Sequence, residues 1–447
     1  MSIDREKLAE FKARESDAFR RSRPLSAARA RHDNGFFGGV PQHWMLDWPM
    51  PFPLVVASAS GTTLLDLDGH ELTDLCLGDT GAMFGHNPAP VAKAVAAQAA
   101  HGLTAMLPSA DVEAVGDLLR SRFGLPYWQI TLTASDANRF ALRAARAITG
   151  RKRILVFDGC YHGAVDETAV NLINGRTEAK PSLWGQAYDL ADVSVCVPFN
   201  DVDALAKALA REDIACVITE PALTNCGIVA PQPGFLEDVR RLTRSHGSLL
   251  LIDETHTLST GPGGWTGTFG LEPDIFVAGK AVAGGIPTGI WGFNEAVKAG
   301  IERIRRDIPP GHSGVGTTLS GSPLQMAALR ACLGEVMTET TYAGMIASAI
   351  GLEDALNTLI KVRGLPWSVI RLGARLETVF APDLPTNAVE MRASFDHDLE
   401  AAIHLGLLNR GFLVTPFHNM LLAGPGLPQS VPQAYVSALD SILDEIL

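Results

Sequence analysis

Short, almost wholly apolar runs alternate with longer amphipathic stretches through the middle of the chain. The runs are Gln129–Leu132, Ile154–Phe157, Ala215–Thr219, Leu249–Ile252 and Ile275–Ala278. Between them lie Asp136–Ile148, Val202–Arg211 and Gly234–His246. Runs this short, apolar on successive positions and closed by turn residues, predict strands buried on both faces. The amphipathic stretches predict the helices that cover them. The predicted fold class is α/β, with a mostly parallel sheet of seven-stranded type between helices and a smaller α/β lobe.

The flanks are less regular. Residues from about Asp4 to Arg31 are polar and helix-prone, and predict an N-terminal arm or helix. An aromatic stretch follows, from Phe36 and Phe37 through Trp44, Trp48 and Phe52, and suits either a packed loop or the rim of a substrate pocket. Val55-Val56 and Thr63–Asp66 read as two strands joined by a Ser-Gly turn. Val91–Gly102 and Val112–Phe123 read as helices, the second capped by Ser109 or Asp111. Pro323–Met337 is an Ala/Leu-rich helix leading out of the sheet layer, followed by a long helix at Ala343–Val362 and further α/β elements ending in Val431–Leu447. The expected organisation is an N-terminal arm and hairpin segment of the small lobe at 1–84, a large domain at 85–340 and a C-terminal small domain at 341–447.

Composition narrows the classes. A chain of 447 residues can bury one large core and a second, smaller one. The net charge of −12 lacks the concentrated basic face of a nucleic-acid binder. None of the six cysteines forms a CxxC pair, which predicts reduced, mostly buried thiols. No apolar run approaches the ~20 residues of a membrane span, and Met1–Arg23 lacks the apolar core of a secretory signal. A cytoplasmic protein without membrane or nucleic-acid partners is expected. His162, His256, His312 and His418 show no HExxH-like spacing, so no metal site is expected.

In α/β sheets, ligands sit beyond the carboxyl ends of the strands. After Leu132 comes Thr133-Ala134-Ser135-Asp136-Ala137-Asn138, opening a helix. Small residues and hydroxyls there suit an anion, although a plain N-cap by Ser135 or Asp136 accounts for the same residues. After Phe157 comes Asp158-Gly159-Cys160-Tyr161-His162-Gly163, a platform for a flat ring or a turn with a stray tyrosine. After Thr219 come Glu220 and, five residues on, Asn225. After Ile252 comes Asp253-Glu254-Thr255-His256; a carboxylate ending an apolar strand needs a cationic partner. After Ala278 comes Gly279-Lys280, and desolvation among small residues favours the neutral, imine-forming amine. A phosphate cradle, a ring platform, a polar pair, an acid and a lysine are together the parts of a pyridoxal 5′-phosphate (PLP) site.

These residues resemble the class III aminotransferases, PLP enzymes of fold type I, and in particular the glutamate-1-semialdehyde aminomutase-like branch. Leu65-Asp66-Leu67-Asp68-Gly69 with Asp74, Phe84-Gly85-His86 with Pro88, Asp158–Gly163, Asp253-Glu254-Thr255, Lys280 with Gly284-Gly285, and Thr317–Pro323 each match a family pattern. The resemblance implies a PLP-binding large domain and a Schiff base on Lys280, which later shuttles a proton. It implies that Asp253 keeps the pyridine nitrogen protonated. Tyr161, next to His162, stacks on one ring face and Thr255 packs on the other. Ser135, with Ala134 and Asp136, binds phosphate. Asn225 lies near the ring hydroxyl, and Glu220 opens the same motif. Thr318 reaches the cofactor phosphate of a neighbouring subunit, which makes the protein a homodimer with shared sites.

Two departures matter. The phosphate loop, commonly S-G-[ST]-E-A, reads Ala134-Ser135-Asp136-Ala137. After Asp253-Glu254-Thr255, where members often place an arginine, the chain reads His256-Thr257-Leu258-Ser259-Thr260-Gly261-Pro262. The late segment Thr415-Pro416-Phe417-His418-Asn419-Met420 resembles aminotransferases acting on amines without a carboxylate. The expected activity is a transaminase moving an amino group between an amine or amino acid and a keto acid or aldehyde. Trp44, Trp48 and His418 would line an aromatic pocket favouring amines, unless Arg29 or Arg31 folds back to hold a carboxylate. The alternatives are an aminomutase of the glutamate-1-semialdehyde type, a racemase or decarboxylase, and a non-catalytic binding protein on the same fold.

Overall fold

The computed structural model describes residues 3–30, 34–311, 314–416 and 418–447. Arg31, His312 and Phe417 lie outside these residues. The chain forms two compact units: one from 1–87, 343–384 and 394–447, the other from 88–342 and 385–393. Segment 385–393, placed in the C-terminal lobe on sequence, belongs to the second unit.

The second unit is built on a seven-stranded sheet. Its strands are β1 (Tyr127–Thr131), β2 (Arg153–Phe157), β3 (Ser194–Val197), β4 (Ile214–Thr219), β5 (Leu249–Asp253), β6 (Ile275–Ala278) and β7 (Gly289–Phe293). The spatial order is β1-β7-β6-β5-β4-β2-β3. Neighbours from β6 to β3 pair in parallel, and β7 runs antiparallel to both β6 and β1. The five predicted strands all form, so the mostly parallel α/β layer holds.

Reading the sequence missed β3 and β7. In β7 the apolar run is broken by glycines, which there serve packing: a Cβ on Gly292 would stand 2.6 Å from the Trp128 ring. Three helices bear out the alternation: α1 (Ala134–Thr149), α2 (Val202–Leu209) and α3 (Phe235–Ser245). In α1 the stripe Ala137, Phe140, Ala141, Ala144 and Ala145 is buried, while Arg139 faces solvent. The predicted helix Pro323–Met337 is α-helical only to Ala331 and then makes one wider π turn, Cys332–Val336. Segment 385–393 closes on the sheet's strand-end loops. Ala388 and Met391 fill the space where Gly159 and Gly227 lack a side chain, and Arg392 holds the buried Asp158 with two bonds of 2.9 and 3.0 Å.

In the first unit the polar N-terminal stretch forms a helix, Arg5–Ser22, capped by Asp4. It breaks before Pro24 and resumes to Ala30. The break turns Arg23 inward, 3.2 Å from Asp66. Leu8, Phe11 and Phe19 form the buried stripe of the first helix, each contributing about 1.5–3 kcal/mol of apolar burial. The predicted hairpin forms from Val56–Ser60 and Thr63–Asp66, extended by Glu71–Asp74 and, in parallel, by Phe412–Leu413. All six cysteines are buried and unbridged. Among the described residues no helix is long and apolar enough to cross a membrane.

Candidate active site

The carboxyl ends of β1, β2, β4, β5 and β6 share one edge of the second unit. Asp253 is the last residue of β5 and lies across from Val277 of β6, three residues before Lys280. Parallel pairing of two buried strands therefore brings the acid and the lysine to the same edge.

Asp253 is buried, yet both its oxygens are satisfied. Oδ2 lies 3.0 Å from His162 Nδ1 and accepts from Asn138 Nδ2 at 2.8 Å. Oδ1 accepts from the Thr255 amide at 3.1 Å and the Thr255 hydroxyl at 2.6 Å. Burial alone would raise its pKa, but these bonds, with His162 first, outweigh burial and hold it below the ordinary carboxylate value. Burial likewise works against charge on His162. Cys160 and the Asp253 carboxylate beside it outweigh that and push its pKa up to about 10.

The residues expected to cradle an anion stand at the start of α1. The cap is Thr133, whose hydroxyl accepts from the Asp136 amide at 3.2 Å, rather than Ser135 or Asp136. That leaves Ser135 Oγ to accept from the Ala164 amide at 3.0 Å. Gly163 packs directly on Ser135: a Cβ there would fall within hard contact of Oγ. Gly279 packs as closely on Ala134, with only 2.8 Å available between Cβ positions. The start of α1, the Gly163 turn and the residue before Lys280 are thus drawn together by two close glycine approaches.

Tyr161 stands half exposed, 49% accessible, its ring 5.9 Å from Lys180 Nζ. Its amide lies 3.4 Å from Glu220 Oε1, and Thr224 donates to the other oxygen of that carboxylate. Burial pushes the Glu220 carboxyl above its ordinary value. Asn225 and Thr318 are exposed, and Asn225 contacts Thr224 at 3.4 Å. Lys280 Nζ lies 2.9 Å from His256 Nε2.

Reading the sequence left Asn138, Lys180 and Glu254 without roles. Glu254 turns away from Asp253 and accepts from the Trp265 amide at 3.0 Å, the Thr266 amide at 2.5 Å and the hydroxyls of Thr257 and Thr266. It anchors α4 (Gly264–Phe269) and the loop leading into it. Trp44, Trp48 and His418 belong to the first unit. Trp44 is 43% exposed in a 3-10 turn, Trp48 packs on the cluster of Phe19, Leu64 and Leu72, and His418 Nδ1 lies 2.8 Å from Glu377 Oε1. Arg29 is exposed in the helix ending at Ala30. The described residues hold no cluster of metal-ligating side chains.

This donor set fits PLP. It offers a primary amine, an ionised acid held by three side chains, a half-exposed aromatic face and a tight helix N-terminus for an anion. Comparison with known proteins agrees. Residues 46–423 match the family Aminotransferase class-III. A glutamate-1-semialdehyde 2,1-aminomutase of Desulfitobacterium hafniense is 31% identical over 369 residues, covering 81% of this chain and 84% of that protein. The crystal structure of a glutamate-1-semialdehyde-aminomutase from Pseudomonas aeruginosa PAO1 is 43% identical with a TM-score of 0.97 over 100% of both chains. A lysine-to-alanine variant of that Pseudomonas enzyme forms a complex with PMP. A β-phenylalanine aminotransferase from Variovorax paradoxus is 26% identical with a TM-score of 0.85, over 98% of this chain and 97% of that one. The chain belongs to the class III aminotransferases, PLP-dependent enzymes of fold type I, in their glutamate-1-semialdehyde aminomutase-like branch.

Proposed function

We propose that this chain is a PLP enzyme that shifts an amino group between adjacent carbons of one small amino-aldehyde, as an aminomutase does. The observation that carries amino-group chemistry is the pairing of strand ends that sets Lys280 beside a buried, fully bonded Asp253. The intramolecular shift is supported by the aminomutases to which most of the chain is similar. When bound, PLP supplies a carbonyl for the amine and an electron sink.

The chain's own residues do the rest. Lys280 Nζ anchors the cofactor and carries protons to and from substrate carbon. Asp253, held ionised by His162, Asn138 and Thr255, keeps a proton on the pyridine nitrogen. Tyr161 and Thr255 bracket the ring, with Glu220 and Asn225 at its polar edge. Ala134, Ser135 and Asp136 receive the phosphate at the start of α1, joined by Thr318 of a second subunit in a homodimer.

The test is a single-substrate assay. Holoenzyme given glutamate-1-semialdehyde alone should form 5-amino-4-oxopentanoate, the product of moving nitrogen from C2 to C1, without a keto acceptor. Lys280→Ala should abolish both turnover and the Schiff-base absorbance band. Turnover only when separate amine and keto acceptor are supplied would replace this reading with transamination. That second reading is favoured by one feature: the segment around His418 resembles that of aminotransferases acting on amines without a carboxylate. It predicts that simple aryl or alkyl amines outrun α- and β-amino acids as donors.

A further inference from the structure

We propose that His256 is the proton partner of Lys280 and so a catalytic residue of this site; this rests on the reading of Lys280 given above. His256 Nε2 stands 2.9 Å from Nζ, and two nitrogens that close share a hydrogen. A Lys280 ammonium donating to a neutral imidazole and an imidazolium donating to a neutral amine differ only in which nitrogen holds the proton. Both cannot be charged at this separation, because neither could then accept and the like charges would repel. Moving the proton breaks an N–H bond on Nζ, forms one on Nε2 and carries one positive charge with it. It frees the lone pair that Lys280 needs to attack a carbonyl carbon. The return transfer resets the pair, and no other reactant is consumed.

The surroundings support this role. His256 leaves the end of β5 three residues after Asp253 and is buried. Lys280 is held at φ 46°, a left-handed backbone that disfavours side chains, with Gly279 pressed against Ala134 ahead of it. Strain of this kind persists where the surroundings over-determine a residue, and here it fixes where the lysine points. The acids of the neighbouring strand ends are engaged elsewhere. Asp253 is held by His162, Asn138 and Thr255, Glu254 by Thr257, Trp265 and Thr266, and Glu220 by Thr224. His256 Nε2 meets Nζ from the end of the adjoining strand.

The test reads Lys280 itself, in the full chain stripped of cofactor. Acetic anhydride labels neutral amines, and mass spectrometry compares Lys280 with the exposed Lys93 and Lys361. In His256→Gln, which accepts a hydrogen bond but cannot take a proton, labelling of Lys280 near neutral pH should slow by about 100-fold, the lower range of a positioned acid–base group. The control lysines should not change. His256→Ala should slow equally and recover when imidazole is added. Unchanged labelling in either folded variant overturns the proposal, and so does a folded His256→Ala chain that imidazole fails to rescue. If His256→Ala does not fold, His256→Gln decides alone. A wild-type chain that gains no Schiff-base band with PLP, while the labelling difference persists, would sink the functional reading and leave the proton contact standing.

Discussion

Asp253 shows how a buried charge is kept. Three side chains and one amide reach its two oxygens, and the same contact, after Cys160, favours charge on His162. The pH consequence follows from the direction of the shift. His162 is raised from an ordinary value near 6.5 to about 10, so its contribution to stability is whole below ~6.5 and is lost as pH climbs toward 10. The depressed Asp253 acts at the other end, its contribution vanishing as pH falls through the acid range. The melting temperature of the apo chain should therefore decline between about pH 6.5 and 10, and His162→Gln should flatten that decline. An identical slope in the variant would show that the imidazole is not its source. Asp253 and Lys280 were legible because a charged residue ending an apolar strand needs an explanation. Asn138 and Lys180 were not, because their partners are 115 and 20 residues away and nothing local tells a helix asparagine or a hairpin lysine with a distant partner from one that faces water.

At the scale of elements, strand–turn–helix junctions position the site, and their glycines set the tolerances. Gly163 combines φ 81° with a Cβ position already occupied by Ser135 Oγ. Gly163→Ala should cost about 2–4 kcal/mol, the sum of left-handed strain and overpacking. Urea unfolding would measure it, and PLP affinity should fall in parallel because the displaced atom is the cradle's own hydroxyl. A variant as stable as the wild type would mean that the turn relaxes freely. The alternating pattern revealed the three helices and five of the seven strands, whereas β7 stayed hidden behind glycines that make room for Trp128. The cap of α1 was placed two or three residues late, since Thr133, Ser135 and Asp136 are all competent and only the fold decides which one turns inward.

For the whole molecule, the sheet layer was legible because its runs are continuous in sequence. The return of 385–393 to the second unit was not, because packing against Gly159 and Gly227 leaves no local pattern. The proposed homodimer makes a prediction at this scale. Thr318→Ala should weaken PLP binding by about tenfold, the value of one hydrogen bond to a charged group. A mixture of Lys280→Ala and Thr318→Ala chains, refolded together, should recover tight binding in hybrid dimers, because one site per hybrid then holds both residues. Titration of the mixture that matches the Thr318→Ala chain alone would place Thr318 in its own subunit's site or in none.

The returning segment also bears on how the protein is made. Ala388, Met391 and Arg392 plug the loops after β2 and β4, and Arg392 neutralises a buried aspartate. A nascent chain emerging from the ribosome carries the whole cofactor-side sheet long before these three residues exist. Until translation passes residue 393, those loops stay open and Asp158 lacks its counter-charge, so the unit whose sheet is made first waits through about a hundred further residues before it can close.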